Sequence, residues 1–514
     1  MSDPAATRSE YPDHIDAAVL KVAGVVVLGA IMSILDITVV NVALPTFQDE
    51  FGTPESPVSY STVAWTVTAY TLALATVIPL TGWAADRFGT KRLYMMAILL
   101  FTAGSALCAT ATSINMLIAF RVLQGLGGGM LMPLGMTIMT RAAGPHRVGR
   151  VMAVLGIPML LGPISGPILG GWLLESASWH WIFLINLPIG IIALIAAFVL
   201  LPADEPKPAE SFDFIGMLLL SPGLALFLFG VSSISEGGGG ITTKVAVSCS
   251  IGAALVAAFV YHALRRADHP LIDLRLFQNR NLTIAVLTST LFAVAFMGAG
   301  LLFPSYFLQV RGETTLAAGL LLAPQGIGAM VTMPIAGNLV DRLGPGKIVM
   351  TGVTLMALGM GVFTQLGADT PYPLLLTALF VMGLGMGCTM MPIMTAAMAT
   401  LTDQTIARGS TLMNIVQQVA GSIGTATMSV VLTNQMKASP EAGAVMATQH
   451  NPELAAQLPP SVIEQGMSAM ADAFGNTFLV ALVLLLLTFI PAFFLPRKPA
   501  VAPADGEAAP MMMH

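Results

Sequence analysis

Long apolar runs alternate with short polar connectors along the whole chain. A bilayer core takes about 20 apolar residues of helix. Fourteen runs meet that length, at roughly 18–44, 62–82, 93–112, 115–139, 149–174, 181–202, 214–233, 245–264, 283–309, 315–337, 347–367, 372–396, 410–433 and 475–496. Runs of this length predict spanning helices, whose backbone bonds are satisfied internally. The expected fold class is therefore an all-α integral membrane protein with 14 transmembrane helices. The first 16 residues are polar and carry Asp3, Glu10, Asp13 and Asp16. They lack the basic-then-apolar pattern of a cleavable signal, so the first run is expected to persist as a helix.

Several runs adjoin with hardly any connector, which leaves thirteen as the rival count. The basic residues decide between them. An even count puts both tails on one side. Lys244, Arg311 and Lys437 then fall on the far side, Arg121 lies within a run, and the other 18 of the 22 Lys and Arg fall on the side of the tails. That bias is a strong positive-inside signal and places both tails in the cytoplasm. Thirteen spans would scramble the alternation.

Composition narrows the class. The chain has 514 residues, 55% apolar and only 10% charged, against about 25% charged in ordinary soluble domains. Mean hydropathy is +0.81. A soluble multidomain enzyme, a nucleic-acid binder and a disordered chain are excluded. Cys108, Cys249 and Cys388 all lie in apolar runs and read as small hydrophobes, not as disulfides or metal ligands. No metal-ligand cluster or catalytic triad is visible. Gly344-Pro345-Gly346-Lys347 is followed by Ile348, so it is no ATP-binding loop.

The chain repeats itself. Gly82-Trp83-Ala84-Ala85-Asp86-Arg87-Phe88-Gly89 and Gly337-Asn338-Leu339-Val340-Asp341-Arg342-Leu343-Gly344 both read G-x-x-x-D-R-x-G, 255 residues apart. Gly125-Leu126-Gly127-Gly128-Gly129 is echoed by Gly383-Leu384-Gly385-Met386-Gly387, 258 residues on. Two matches at nearly one offset imply duplicated halves. The expected division is a tail at 1–16, a six-helix bundle at 17–203, a linker with two additional helices at 204–282, a second six-helix bundle at 283–496 and a tail at 497–514. Within the second bundle, 434–474 reads as a long external loop, with Ser461–Phe474 as an amphipathic helix.

These residues resemble the major facilitator superfamily, and its fourteen-helix multidrug–proton antiporter branch (EmrB/QacA type) in particular. The first run carries Leu35-Asp36-Ile37-Thr38-Val39-Val40-Asn41-Val42-Ala43-Leu44-Pro45, and the fourth carries Arg121-Val122-Leu123-Gln124-Gly125. The fifth carries Gly156, then Gly162-Pro163-Ile164-Ser165-Gly166-Pro167-Ile168-Leu169-Gly170-Gly171, which resembles the antiporter motif of exporters. The sixth opens Trp179-His180-Trp181-Ile182-Phe183-Leu184-Ile185-Asn186-Leu187-Pro188, with His180 where the branch usually has Arg. The resemblance covers nearly the whole chain. It implies two six-helix bundles plus two extra central helices, in a bacterial cytoplasmic (inner) membrane. It also implies drug:proton antiport by alternating access, with protons as the coupling ion and no cofactor.

Position singles out the chemistry. Asp36 is the one acidic residue near the centre of a run, and Arg121 the one basic residue deep within one. A carboxylate in the membrane core is costly and tends to bind a proton, and a deep Arg needs a partner. Asp36 reads as the proton site, coupled to Arg121 directly or through water; the bland alternative is an Asp satisfied by hydroxyls such as that of Thr38. Gln124 shares the face of Arg121. Gly162, Gly166 and Gly170 recur every four residues, a small face for close helix approach, while Pro163 and Pro167 bend the same run. The resemblance implies that this seam blocks leak and permits rocking. Asp86, Arg87 and Arg92, and likewise Asp341 and Arg342, read as a cytoplasmic turn. There the carboxylates bond a helix N-terminus or an Arg and close that side.

The expected substrate cavity draws on Asn41, Trp65, Tyr70, Gln124, Gln325, Met386, Met390, Asn414 and Gln418. Met382, Met386, Met390, Met394 and Met398 recur every four residues, which suits either an adaptable cavity or plain packing. One deep carboxylate beside an Arg predicts monovalent cations or neutral lipophiles as cargo. Exchange of one proton for one such cation moves no net charge. The expected partners are small lipophilic substrates and membrane lipids, with no nucleic acid, and the chain reads as a monomer. The rival function is a lipid or envelope-precursor translocator of the same fold; a nutrient importer fits the fifth run poorly.

Overall fold

A computed structural model of the chain describes residues 16–52, 58, 60–143, 147–203, 211–236, 242–265, 270–399, 401, 405–442, 445 and 459–497. Thirteen helices among the described residues are long and apolar enough to cross a membrane. The run expected at 149–174 is the 29-residue helix Val148–Ser176. At about 1.5 Å per residue it too exceeds a bilayer core.

The first half comprises α1 (Ala17–Val42), α2 (Leu44–Phe51), α3 (Tyr60–Phe88), α4 (Thr90–Cys108), α5 (Ile114–Ala143), α6 (Val148–Ser176), α7 (His180–Leu184) and α8 (Asn186–Leu200). Two further helices follow, α9 (Phe214–Glu236) and α10 (Thr243–Arg265). The second half comprises α11 (Arg280–Gln309), α12 (Thr315–Leu321), α13 (Ala323–Leu343), α14 (Pro345–Phe363), α15 (Tyr372–Gly387), α16 (Met390–Met398), α17 (Ile406–Ala438), α18 (Pro460–Leu487) and α19 (Phe489–Ala492). Four expected runs are interrupted, between α7 and α8, α12 and α13, α15 and α16, and α18 and α19.

The duplicated motifs do the same work in both halves. Helix α5 lies between α3 and α4, and α15 lies between α13 and α14. Glycine permits the approach: a Cβ on Gly127 would stand 2.5 Å from the backbone N of Phe101, and one on Gly385 2.5 Å from the carbonyl oxygen of Gly352. Gly89 and Gly344 close the two G-x-x-x-D-R-x-G motifs with φ of 92° and 81°, a region only glycine enters freely. Each reverses the chain in one residue. Asp86, Arg87, Asp341 and Arg342 therefore stand in the last helical turn of α3 and α13, not in a connecting turn.

The halves meet along two seams, α6 against α13 and α3 against α17. Helix α9 packs on both α3 and α17, so the extra hairpin spans one seam. Ser221 of α9 donates to the carbonyl of Thr76 at 2.8 Å. Asp213 ties the hairpin's ends together, accepting from Gly216 N at 2.7 Å and Leu271 N at 3.1 Å and pairing with His262 Nε2 at 2.8 Å.

The loop expected at 434–474 is helical at both ends: α17 runs on to Ala438, and α18 takes in the whole of Ser461–Phe474. The physical reason is burial. Met470, Ala471, Ala473 and Phe474 pack into the core, so the amphipathic stretch continues directly into the last span. Residues 443–444 and 446–458 of that loop lie outside the described residues.

Candidate functional site

The deep charges meet. Asp36 on α1 is 1% exposed and Arg121 on α5 is 0% exposed, and they form an ion pair. Arg121 Nη1 donates to Asp36 Oδ2 and, at 2.8 Å, to Gln124 Oε1. Gln124 Nε2 returns a bond to Asp36 Oδ1 at 2.8 Å, and Asn186 Nδ2 of α8 adds a second at 3.2 Å. Arg121 Nε donates to the carbonyl of Thr66 at 3.0 Å. Its guanidinium lies 4.1 Å over the ring of Tyr70, whose hydroxyl meets Ser33 Oγ at 3.2 Å. Arg121 Nη2 is buried with no hydrogen-bond partner among the described residues, which leaves one strong donor open.

Both carboxylate oxygens of Asp36 are thus held by donors, an arrangement that suits the anion. Thr38 takes no part: its hydroxyl turns to the carbonyls of Leu35 (2.9 Å), Ile34 (3.1 Å) and Gly162 (3.3 Å). The last of these is a bond to α6, across the glycine seam. Gly162, Gly166 and Gly170 face α1, where added Cβ atoms would run into Ile34, Thr38 and Val39 respectively. The small-residue face therefore receives the very turns that flank Asp36. Helix α6 is continuous through this region, while the side chains of Pro163 and Pro167 lie outside the described residues.

The second cluster ties the two halves at one end of the bundle. Asp341 Oδ1 accepts from Gly149 N at 3.0 Å, and its Oδ2 from Arg150 N at 3.3 Å and Arg150 Nε at 3.1 Å. It thereby caps the start of α6. Asp86 lies 3.8 Å from Arg141 Nη2 in its own half and 3.8 Å from Arg408 Nε in the other. Each motif's carboxylate so reaches the opposite half. Arg87, Arg92 and Arg342, expected at this gate, are exposed.

Hydroxyl pairs add a neutral layer just inside. Thr137 Oγ1 meets Ser410 Oγ at 2.8 Å, and Thr81 Oγ1 meets Thr411 Oγ1 at 3.1 Å. Asn414 lies on the same seam, donating to the carbonyl of Ser410 at 2.8 Å and to Met136 Sδ at 3.2 Å.

The residues expected to line one cavity are dispersed. Tyr70 and Gln124 are fully buried in the Asp36 network. Trp65 stacks on Phe229 of α9, ring centroids 5.4 Å apart. Gln418 lies where α3, α9 and α17 meet, beside Ile78, Leu224 and Leu228. Asn41 is exposed and donates to the carbonyl of Ile37 at 2.9 Å, and Gln325 is half-buried on α13. Met386 and Met390 are each 6% exposed within the packed core, so they line no open cavity in this conformation. Their spacing matches helix packing equally well, and packing is what the neighbouring apolar helices provide.

Asn186 is the network member that the sequence left unmarked, although it is the lone amide in its run. The hydroxyl pairs also went unmarked, because Ser and Thr are common in spans and only their partners distinguish them.

The chain was compared with known proteins. It matches the Major Facilitator Superfamily family over residues 26–425. It is 49% identical over 513 residues to a "Multidrug resistance protein B homolog" of Mycobacterium tuberculosis (strain ATCC 25618 / H37Rv), spanning 97% of this chain and 94% of that protein. It is 33% identical to a "Putative multidrug resistance protein MdtD" of Pectobacterium carotovorum, over 79% of this chain and 86% of the relative. The fold matches that of the human organic anion transporter MFSD10 (TM-score 0.61, 18% identity, 91% and 99% of the two chains). It also matches the proton:xylose symporter XylE (TM-score 0.57, 14% identity, 92% and 96%). The duplicated bundles, the paired G-x-x-x-D-R-x-G motifs and these relatives agree: this multi-pass bacterial membrane protein is a transporter, not an enzyme, and belongs to the major facilitator superfamily.

Proposed function

We propose that this chain is a proton-coupled exporter of lipophilic compounds, of the fourteen-helix drug:proton antiporter type, acting by alternating access in the cytoplasmic membrane with both tails inside. The observation that carries the reading is the buried carboxylate of Asp36, held by Arg121, Gln124 and Asn186. A group so enclosed has no structural alternative partner in water. It exchanges its proton only when the surrounding helices move, which is what links proton release to a change of access. Relatives named for multidrug resistance support the cargo class. A single deep anion beside a cation favours monovalent cations or neutral lipophiles, and protons serve as the coupling ion without a cofactor. The conformation, tied at the inner end by Asp86 and Asp341, is the one in which that end is shut.

The test is a drug-susceptibility panel on cells expressing wild type or Asp36→Asn, containing monovalent cations, divalent cations and neutral lipophiles. Resistance to the monovalent and neutral compounds that disappears in the variant is expected. Resistance that survives in Asp36→Asn, or none with either protein, overturns the reading, and the latter turns attention to lipid cargo.

A further inference from the structure

Helix α7 ends at Leu184 and α8 begins at Asn186, so the sixth span is interrupted at the residue that reaches Asp36. A single hydroxyl spans the interruption. Ser105 Oγ donates to the carbonyl of Phe183 at 2.9 Å and accepts from Asn186 Nδ2 at 3.1 Å. Its one proton is spent on Phe183, so toward Asn186 it acts only as an acceptor. That fixes the amide's orientation: the NH2 group faces both Ser105 Oγ and Asp36 Oδ1, and the amide oxygen is turned away. Both Asn186 and Ser105 are buried, at 1% and 0% exposed.

We propose that Asn186, oriented by Ser105, is a positioning residue of the proton site: it holds the Asp36 carboxylate in place and ties it to the interruption of the sixth span. An amide pinned as donor favours the carboxylate and gives nothing to the carboxylic acid. Removing it takes away one of the two amide donors to Oδ1, leaving Gln124 alone on that oxygen. The groups that face Asp36 are Arg121 from α5, Tyr70 from α3 and Cys108 from α4. Other charges on the packed elements stand at helix ends: Lys21 on α1, Asp49 and Glu50 on α2, Asp86 and Arg87 on α3, Arg141 on α5, Arg150 and Glu175 on α6, with His180 on α7 stacked against Trp179. Asn186 is the one donor to Asp36 contributed by the sixth span. The inference rests on the reading of Asp36 as the proton site.

The test is a pH titration of the protonated-carboxyl infrared band of the purified full-length protein, which needs no substrate. The band lost in Asp36→Asn identifies the Asp36 signal. In Asn186→Leu its midpoint is expected to move measurably from the wild-type position, because one donor to the carboxylate is lost. Ser105→Ala should move it the same way by less, and Asn186→Gln should restore it in part. Ser105→Ala also keeps the test open if Asn186→Leu fails to fold. An unmoved midpoint in both variants overturns the inference while leaving Asp36 as the proton site. No band that depends on Asp36 overturns the underlying reading instead.

Discussion

In the first half α5 brings Arg121 between α3 and α4, and the guanidinium meets a carboxylate, a side-chain amide, a backbone carbonyl and a tyrosine ring. In the second half α15 takes the matching place between α13 and α14. The residue 258 positions after Arg121, as Gly383 is after Gly125, is the fully buried Leu379. In the same core, Phe303, Phe363 and Phe478 pack ring to ring at centroid distances of 4.9–5.3 Å. The glycines that let the helices approach are shared, and the interior chemistry is not. The close approach of helix backbones sets the scaffold, and it does not dictate what fills the interior. A buried ion pair rarely gains stability over apolar packing of equal volume. Its presence in only one of two matching frames therefore points to work other than holding the fold.

Substitution on each side of this comparison sharpens it. Arg121→Leu strands the buried Asp36 and is expected to cost about 3–5 kcal/mol. It should appear as a large fall in the unfolding midpoint in detergent, much of which returns in Asp36→Asn/Arg121→Leu. Leu379→Ala opens a cavity worth about 2–5 kcal/mol. It should lower the same midpoint yet leave pH-gradient-driven transport intact per folded molecule. A Leu379→Ala protein that folds but has lost its dependence on the gradient would break the contrast between the halves.

The two G-x-x-x-D-R-x-G carboxylates give a smaller and asymmetric pair. Asp341 accepts three hydrogen bonds at the start of α6, whereas Asp86 makes ion pairs at 3.8 Å in a partly exposed setting. Asp341→Asn should ease local opening by about 1–3 kcal/mol. Hydrogen exchange at the amides of Gly149 and Arg150 reads this directly. Asp86→Asn should change opening by less than about 1 kcal/mol. Equal effects would mean that the two motifs bear equal loads despite their different partners.

Much of this was legible in advance. Apolar run length marks the spans because a bilayer core imposes it, and the shared offsets mark the duplication. Asp36 and Arg121 stand out because deep charge is rare. Other features depend on partners that lie far away in sequence. Tyr70 reads as a cavity aromatic until Arg121 is seen above its ring. Met386 reads equally as lining or packing, and only burial decides. Asn186 carries no charge, so nothing in its apolar run says that the helix is interrupted there to aim it at Asp36. Gly89 and Gly344 end their motifs plainly, but that each makes a one-residue reversal, leaving Asp86 and Asp341 helical, is a matter of backbone geometry.

The central claim is that the polar network of the first half couples protons to transport. It is tested most directly in proteoliposomes by comparing wild type with Asp36→Asn, using a monovalent lipophilic cation such as ethidium. The account predicts that uptake driven by an imposed pH gradient disappears in the variant, while exchange of labelled for unlabelled substrate without a gradient continues. Gradient-driven uptake that persists in Asp36→Asn would contradict it.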